Sequence, residues 1–370
     1  MICQRHSFMM PKLPLQSYHE AHGARLVPLH EGLLPASYGD SLMEYRSVRD
    51  RVGVVDLSHD SMYLFSGDDR TDFLQNVMSN DIHQARLDRG IKTALLTAKG
   101  KMLSVLAVYP ITNAYLLEME SVIAETTVQH LMRYKLRSKI KLEEMSWGKL
   151  LISGPKALSL LDVLGWPTRG AEEGAFIYQE TDPVFCVRTH QTSEDDYTIY
   201  FKRDNMEYFL TALLTSGEQF GVALVGQTAL DMLRIEAGRP RYGIDMDDTT
   251  FPIEAGLEES VISYTKGCYP GQEVMARIKT YGHVNRHLAG LILKGTDIPE
   301  RKASVWEAGE GGLEMGWVTS AVYSPRLDAP IAMAYLQTAK ASPGSPVAVS
   351  VSGGRVEAVV TTLPFYERRG

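Results

Sequence analysis

With 370 residues the chain exceeds one ordinary hydrophobic core and is expected to divide into two or three domains. Its 44% hydrophobic, 22% charged and 9% aromatic content is that of a globular protein and excludes a disordered one. A formal net charge of -7 supplies no global positive field for nucleic acid or anionic membrane, and no apolar run nears the roughly 18 residues that span a bilayer.

Met1 to Lys12 holds Arg5 and His6 but no apolar stretch of signal-peptide length, so the cytosol is the expected compartment. Three cysteines, Cys3, Cys186 and Cys268, share no C-x-x-C spacing. That count argues against a disulfide framework and is too small for an ordinary four-thiolate iron–sulfur site in one chain. The ten histidines show no zinc-ligand spacing, and no bound metal is expected.

Along the chain, Leu42, Tyr45, Val48 and Val52 recur at helical steps with Arg46, Arg49 and Arg51 between them. Val54 to Ser58 and Ser61 to Phe65 read as short strands. Asp68 or Asp69 is placed to cap a helix carrying Phe73, Leu74, Val77 and Met78. A hairpin spans Thr93 to Tyr109, turning at Ala98-Lys99-Gly100-Lys101, and Ser121 opens a helix with Val122, Ile123, Val128 and Leu131 on its apolar side. Arg133, Lys135, Arg137, Lys139 and Lys141 alternate; if extended they share one face, able to steer a polyglutamate tail or an acidic partner, and a solvated surface is the plainer alternative.

Leu150 to Pro155 repeats the strand–turn–helix idea of Phe65-Ser66-Gly67-Asp68, with Ser153 as cap and Pro155 in the first turn of a helix, Ala157 to Val163, that ends at Gly165 before Pro167. Two such units without β-α-β crossovers predict a duplicated α+β framework. From about Leu288 strands dominate. Val347, Val349 and Val351 alternate, Gly353-Gly354 is a hairpin turn, and Val356 and Ala358 resume the pattern. With a further turn around Gly309, Gly311 and Gly312, this predicts a small antiparallel barrel or sandwich beginning near Asn285. The domains expected are 18–285, of two interleaved α+β subdomains, and 286–370, the β-domain.

The unusual chemistry concentrates between Arg234 and Gly282, where glycine and proline recur at turn density. Glu236 ends a predicted helix, Gln227 to Ile235. A buried carboxylate there meets the unfavourable end of the dipole and needs a donor. A planar N–H/NH₂ edge, such as the pyrimidinone side of a pterin, would serve; so would Arg234, Arg239 or Arg241. Glu254 is a second glutamate in an apolar string. Cys268 follows Gly267 and lies two residues after Lys266, a setting that favours an accessible thiolate; a small cysteine packed into a turn is the alternative.

These residues carry a resemblance. Val54 to Met62, Asn80-Asp81-Ile82, Ile152-Ser153-Gly154-Pro155, and above all Arg234-Ile235-Glu236-Ala237-Gly238 through Pro252-Ile253-Glu254-Ala255-Gly256-Leu257 resemble the glycine-cleavage T-protein (aminomethyltransferase) superfamily, over about Tyr18 to Tyr366. The resemblance implies a three-domain cloverleaf around a central tetrahydrofolate channel, with a small barrel last. It implies that Glu236 binds the pterin, with Arg234, Tyr242, Glu254 and Gln272 as companion folate residues. Two departures bear on the branch. The family's aspartate pair, which positions the reacting folate nitrogen, aligns with Ser104-Val105, neither able to carry that charge. Lys266-Gly267-Cys268-Tyr269-Pro270-Gly271-Gln272-Glu273 resembles the signature of YgfZ-type folate-binding proteins, which support assembly or repair of iron–sulfur enzymes. That branch implies an iron–sulfur client as partner and Cys268 and Lys266 as the reactive pair. The alternatives are a folate-dependent one-carbon transferase whose missing carboxylate comes from elsewhere, for example Asp245, Asp247 or Asp248, and an interaction module without ligand.

Overall fold

The computed structural model describes residues 15–29, 32–166, 172–179, 184–282, 284–309 and 311–368. The readings on Met1 to Lys12, Cys3 and Pro167 lie outside them.

Apolar strands dictate the framework. Val52–Asp56 and Trp147–Ser153, buried along their whole lengths, are neighbours at the heart of a six-stranded sheet. Its order is Phe176–Gln179, Val184–Thr189, Asp196–Lys202, Trp147–Ser153, Val52–Asp56, Val222–Leu224. Val222–Leu224 pairs in parallel with Val52–Asp56, while the other pairs are antiparallel. The chain between Asp56 and Trp147 builds a second, five-stranded antiparallel sheet, in the order Ile91–Leu96, Met102–Ile111, Ala114–Met119, Ser61–Ser66, Lys141–Glu144. The second sheet is thus inserted into the first. This is the duplicated framework that the two strand–turn–helix units predict.

Each sheet is covered by the helices its own connections form. Arg70–Val77 and Ser121–Tyr134 bury Phe73, Leu74, Ile123 and Leu131 on the second sheet. Ala157–Val163 and Met206–Gly217 bury Leu160, Leu161, Phe209 and Leu213 on the first. Full burial of one such side chain contributes about 1.5–3 kcal/mol, so these faces fix the sheets in place. The cap is different at each helix start. Asp40 accepts from Leu42 N–H at 2.8 Å and opens Ser41–Asp50 as a cap should. Asp69 instead accepts from Lys139 N–H at 2.6 Å across the loop, and Ser153 Oγ bonds Thr192 Oγ1 at 2.8 Å. Both expected caps became tertiary ties.

Six strands close a barrel: Arg286–Leu293, Ala329–Gln337, Glu314–Ser324, Ser304–Glu307, Pro346–Val351 and Gly354–Thr361. Helix Gln227–Glu236 wedges between this barrel, helix Ser41–Asp50 and the first sheet. Leu230 and Leu233 pack with Val48 and Val55, while Ile235 packs with Ile331 and Met333 of the barrel. The five alternating cations do not share a strand face. Helix Ser121–Tyr134 takes in Arg133, a turn follows, and the strand begins only at Lys141.

Candidate functional site

The two sheets, the end of helix Gln227–Glu236, the loop behind it and the barrel meet around a cavity of about 750 Å³. Strand alternation decides what faces it. Val105 lines the cavity while Ser104, one residue earlier, is fully buried on the other side. On the adjacent strand Glu118 stands opposite Ala107, and both line the cavity with Glu120 two residues on. Asp60 and His59 enter from the turn after Val52–Asp56, Lys149 from the first sheet, and Arg234, Arg239, Arg241 and Tyr242 from the loop side.

Lys149 is the charge centre. Its ammonium donates to Asp60 Oδ2 and to Glu118 Oε1, each at 2.6 Å, with only 8% of its side chain exposed. Burial alone would lower its pKa; the two carboxylates outweigh burial and raise it above the ordinary lysine value. Burial likewise works to raise Asp60, and Lys149, followed by His59, overcomes that and holds it below the usual carboxylate range. Burial pushes the His59 imidazole below its ordinary value, with Asp60 opposing. Glu120 differs. Its Oε1 accepts from Tyr242 N–H at 3.2 Å and its Oε2 lies 3.6 Å from Arg241 Nε. Burial, then the charge of Asp60, push its carboxyl up to about 7.

Several buried polar atoms of lining residues find no protein partner among the described residues: His59 Nδ1, His190 Nε2, Gln227 Nε2 and Arg239 Nε. Buried polar groups are normally satisfied, so these four leave the cavity's surround short of partners. Leu57, Val105, Met119, Leu151, Leu230 and Met246 supply apolar wall between them. Carboxylates for an amino-pyrimidine edge, apolar wall for a ring, and arginines and His190 for an acid tail make a lining that fits a reduced folate.

The structure brings Arg234 and Tyr242 to the cavity and takes the other expected residues elsewhere. Tyr242 donates its hydroxyl to Met102 C=O at 2.9 Å. Arg234 is spent on Asp231, Asp245 and Ser320. Glu236, fully buried, does not line the cavity: its carboxylate accepts from Arg49 at 2.5 Å, from Tyr45 Oη at 2.7 Å, and from Ser324 Oγ. The donor it needs is therefore an arginine, but Arg49, not Arg234, Arg239 or Arg241. Glu254 accepts from Arg286 at 3.1 Å and from Phe251 N–H at 2.8 Å. Gln272 donates to Lys266 C=O at 3.2 Å. The Lys266 ammonium donates to the carbonyls of Gln75, Met78 and Asn80, tying off the end of helix Arg70–Val77; burial lowers its pKa to about 8. Its cation is thus engaged with carbonyls, while Cys268 is a free, exposed thiol. Asp245 is buried in a hydrogen-bonded seam with the barrel, and Asp247 and Asp248 are exposed, so none of the three lines the cavity.

Three of the carboxylates that line it, Asp60, Glu118 and Glu120, were not among the residues singled out from sequence. Two signals exist: Glu118 and Glu120 recur two apart around the apolar run Leu116, Leu117 and Met119, and Lys149 interrupts an otherwise apolar strand.

Two sheets, one inserted into the other, and a closed barrel around a polar, partly apolar-walled cavity define the α+β class of this protein. The profile of the GCVT N-terminal domain matches residues 15–265, and that of the glycine cleavage T-protein C-terminal barrel domain matches residues 286–367. The chain is 31% identical to an aminomethyltransferase of Moorella thermoacetica, over 97% of this chain and 98% of that one. It is 28% identical to an aminomethyltransferase of Halothermothrix orenii, over 96% and 100%. The glycine cleavage system aminomethyltransferase T of Bartonella henselae superposes over 97% of this chain and 99% of its own with a TM-score of 0.90, at 24% identity, and so shares the fold. The chain belongs to the glycine cleavage T-protein family. No described helix is long and apolar enough to cross a membrane.

Proposed function

We propose that the chain binds a reduced folate in the central cavity and works as a one-carbon transferase of the aminomethyltransferase kind. The observation that carries this is a central cavity whose lining joins Asp60 and Glu118, clustered around Lys149, to Arg239, Arg241 and an apolar wall. Full-length similarity to aminomethyltransferases supports the same reading. The residues divide the work. Lys149 holds Asp60 and Glu118 in fixed orientations, the apolar wall excludes water from a ring, and Arg239 and Arg241 attract an acid tail. Calorimetric titration with tetrahydrofolate tests it. Saturable binding that weakens by about tenfold or more in Arg241→Ala is the expected result. Absence of binding to the wild type overturns it.

The iron–sulfur support role implied by Lys266 to Glu273 is kept as a second reading, on the exposed free thiol of Cys268. It requires that Cys268→Ser leave folate binding intact and lower iron–sulfur enzyme activity in cells. Unchanged client activity removes it. In either reading the expected setting is the cytosol.

A further inference from the structure

The cavity's acids are unequally engaged. Asp60 and Glu118 share the Lys149 ammonium, Glu173 bonds Lys92 at 2.5 Å, and Glu259 and Glu367 are exposed at the rim. Glu120, half-buried in the lining, is held by a single backbone donor and one long ion contact, to Arg241, with 30% of its side chain exposed. Position strengthens the case. Ala107 and Glu118 are the last partners of their ladder; Val105 lines the cavity further along one strand, and Glu120, one residue beyond the end of the other and at the start of helix Ser121–Tyr134, lines the same cavity. Where the resemblance would place a carboxylate the chain has Val105, and Glu120 brings one to the same lining.

We propose that Glu120 is the cavity carboxylate that exchanges a proton with a nitrogen of the bound ligand. The proposal rests on the folate reading above. The exchange moves one proton and no electrons: an N–H bond of a reduced pterin breaks and an O–H bond forms on Glu120, and the reverse step returns the proton. The largest influences on it come from several elements. Asp60 from the turn before the second sheet disfavours the ionised form. Arg241 and Tyr242 N–H from the loop side and Lys149 from the first sheet favour it, and burial outweighs them. The balance leaves the group able to take or give a proton near neutrality, which is where acid–base exchange is most effective. Glu118, two residues before it, is bound to Lys149 and is not free to do this.

The experiment is calorimetric titration of tetrahydrofolate in buffers of different ionisation enthalpy, over about one pH unit either side of neutrality. A ligand nitrogen set against Glu120 shifts the carboxyl's own titration, so the wild type is expected to take up or release protons to buffer on binding, by an amount that changes across this range. Glu120→Gln is expected to lose that transfer and its pH dependence, and Glu120→Asp to restore it. Proton transfer persisting in Glu120→Gln overturns the proposal. If the wild type does not bind tetrahydrofolate, the folate reading fails, and the Glu120 assignment is decided separately. In that case ¹³C titration of the Glu120 carboxyl in ligand-free protein, assigned by Glu120→Gln, reads it directly. Ionisation near neutrality upholds a proton-exchanging Glu120 for whatever ligand the cavity takes; ionisation in the ordinary carboxylate range overturns it.

Discussion

Lys149 stands in a strand whose seven residues are all buried, and its ammonium is matched by two carboxylates at equal distance. Lys149→Met keeps the stem's packing and leaves Asp60 and Glu118 as buried like charges. Breaking a buried pair from one side costs about 3–5 kcal/mol, so a large loss of thermal stability is expected at neutral pH. The pH dependence follows from Asp60. Its folded pKa is depressed in the wild type, so its contribution is present above the unfolded value of about 3.9 and is lost as pH falls through the folded one. The gap between wild type and Lys149→Met should therefore narrow in melting curves taken toward acid pH. A gap that widens in acid contradicts the pairing. Glu236 offers the complementary case. Its place at a helix end and its need for a donor were legible from Arg234 to Gly238, but the identity of that donor was not. Arg49 lies far away in sequence, and only the packing of helix Ser41–Asp50 against helix Gln227–Glu236 brings it within reach. Glu236→Gln is accordingly expected to lower the melting temperature without ligand while leaving tetrahydrofolate affinity within about threefold. A selective loss of affinity at unchanged stability would return Glu236 to the ligand.

At the scale of elements, the two sheets end a strand in the same way. Ser66-Gly67 and Ser153-Gly154 each put a glycine at positive φ, +114° and +131°, beside a backbone carbonyl. An ideal Cβ at Gly67 would lie 2.0 Å from Lys139 O, and at Gly154 2.4 Å from Arg51 O. Neither carbonyl is the mobile end of a side chain, so both the conformation and the close approach require glycine. Gly154→Ala should then destabilise by about 1–3 kcal/mol from backbone strain alone, with the clash added, measured by chemical denaturation. A loss below about 0.5 kcal/mol would show that the turn relaxes freely. This pairing of units could be read in the sequence because short strands, Ser-Gly turns and helix starts are local signals. The barrel hairpin was legible for the same reason, but its two-residue turn is Ser352-Gly353, one place before the expected Gly353-Gly354, because Gly354 already pairs with Val351. The cation strip failed because alternation over Arg133 to Lys141 was read without the helix that already owned its first residue. The cavity acids failed for another reason. Glu118 and Glu120 acquire meaning only when the second sheet, the first sheet and the loop at Arg241 are brought together, and nothing local records that meeting.

At the scale of the whole molecule, one buried carboxylate gathers several of the ties between the barrel and the body. Asp245 is 1% exposed. Its Oδ2 accepts from Arg234 at 2.9 Å and from Arg241 N–H at 3.0 Å, while its Oδ1 accepts from Thr319 and Ser320 hydroxyls of the barrel, each at 2.6 Å. Arg234 reaches Ser320 as well, and Glu236 bonds Ser324 on the same barrel strand. Helix Gln227–Glu236 therefore carries both the cavity's arginine and the barrel's attachment, so that ligand cavity and domain seam share one element. Removing the Asp245 carboxylate deprives four donors at once and leaves the Arg234 charge near the seam with only Asp231. Asp245→Ala should lower stability by several kcal/mol, about 3–5 for a broken buried ion pair. It should also change the shape of unfolding. The wild type, with its barrel clamped, is expected to melt in one calorimetric transition, and the variant in two, the barrel separating from the sheets. Because Arg234 and Arg241 line the cavity, the variant should lose tetrahydrofolate affinity along with cooperativity. A single transition with unchanged affinity would mean that Ile235 against Ile331 and Met333, not the Asp245 seam, holds the two halves together.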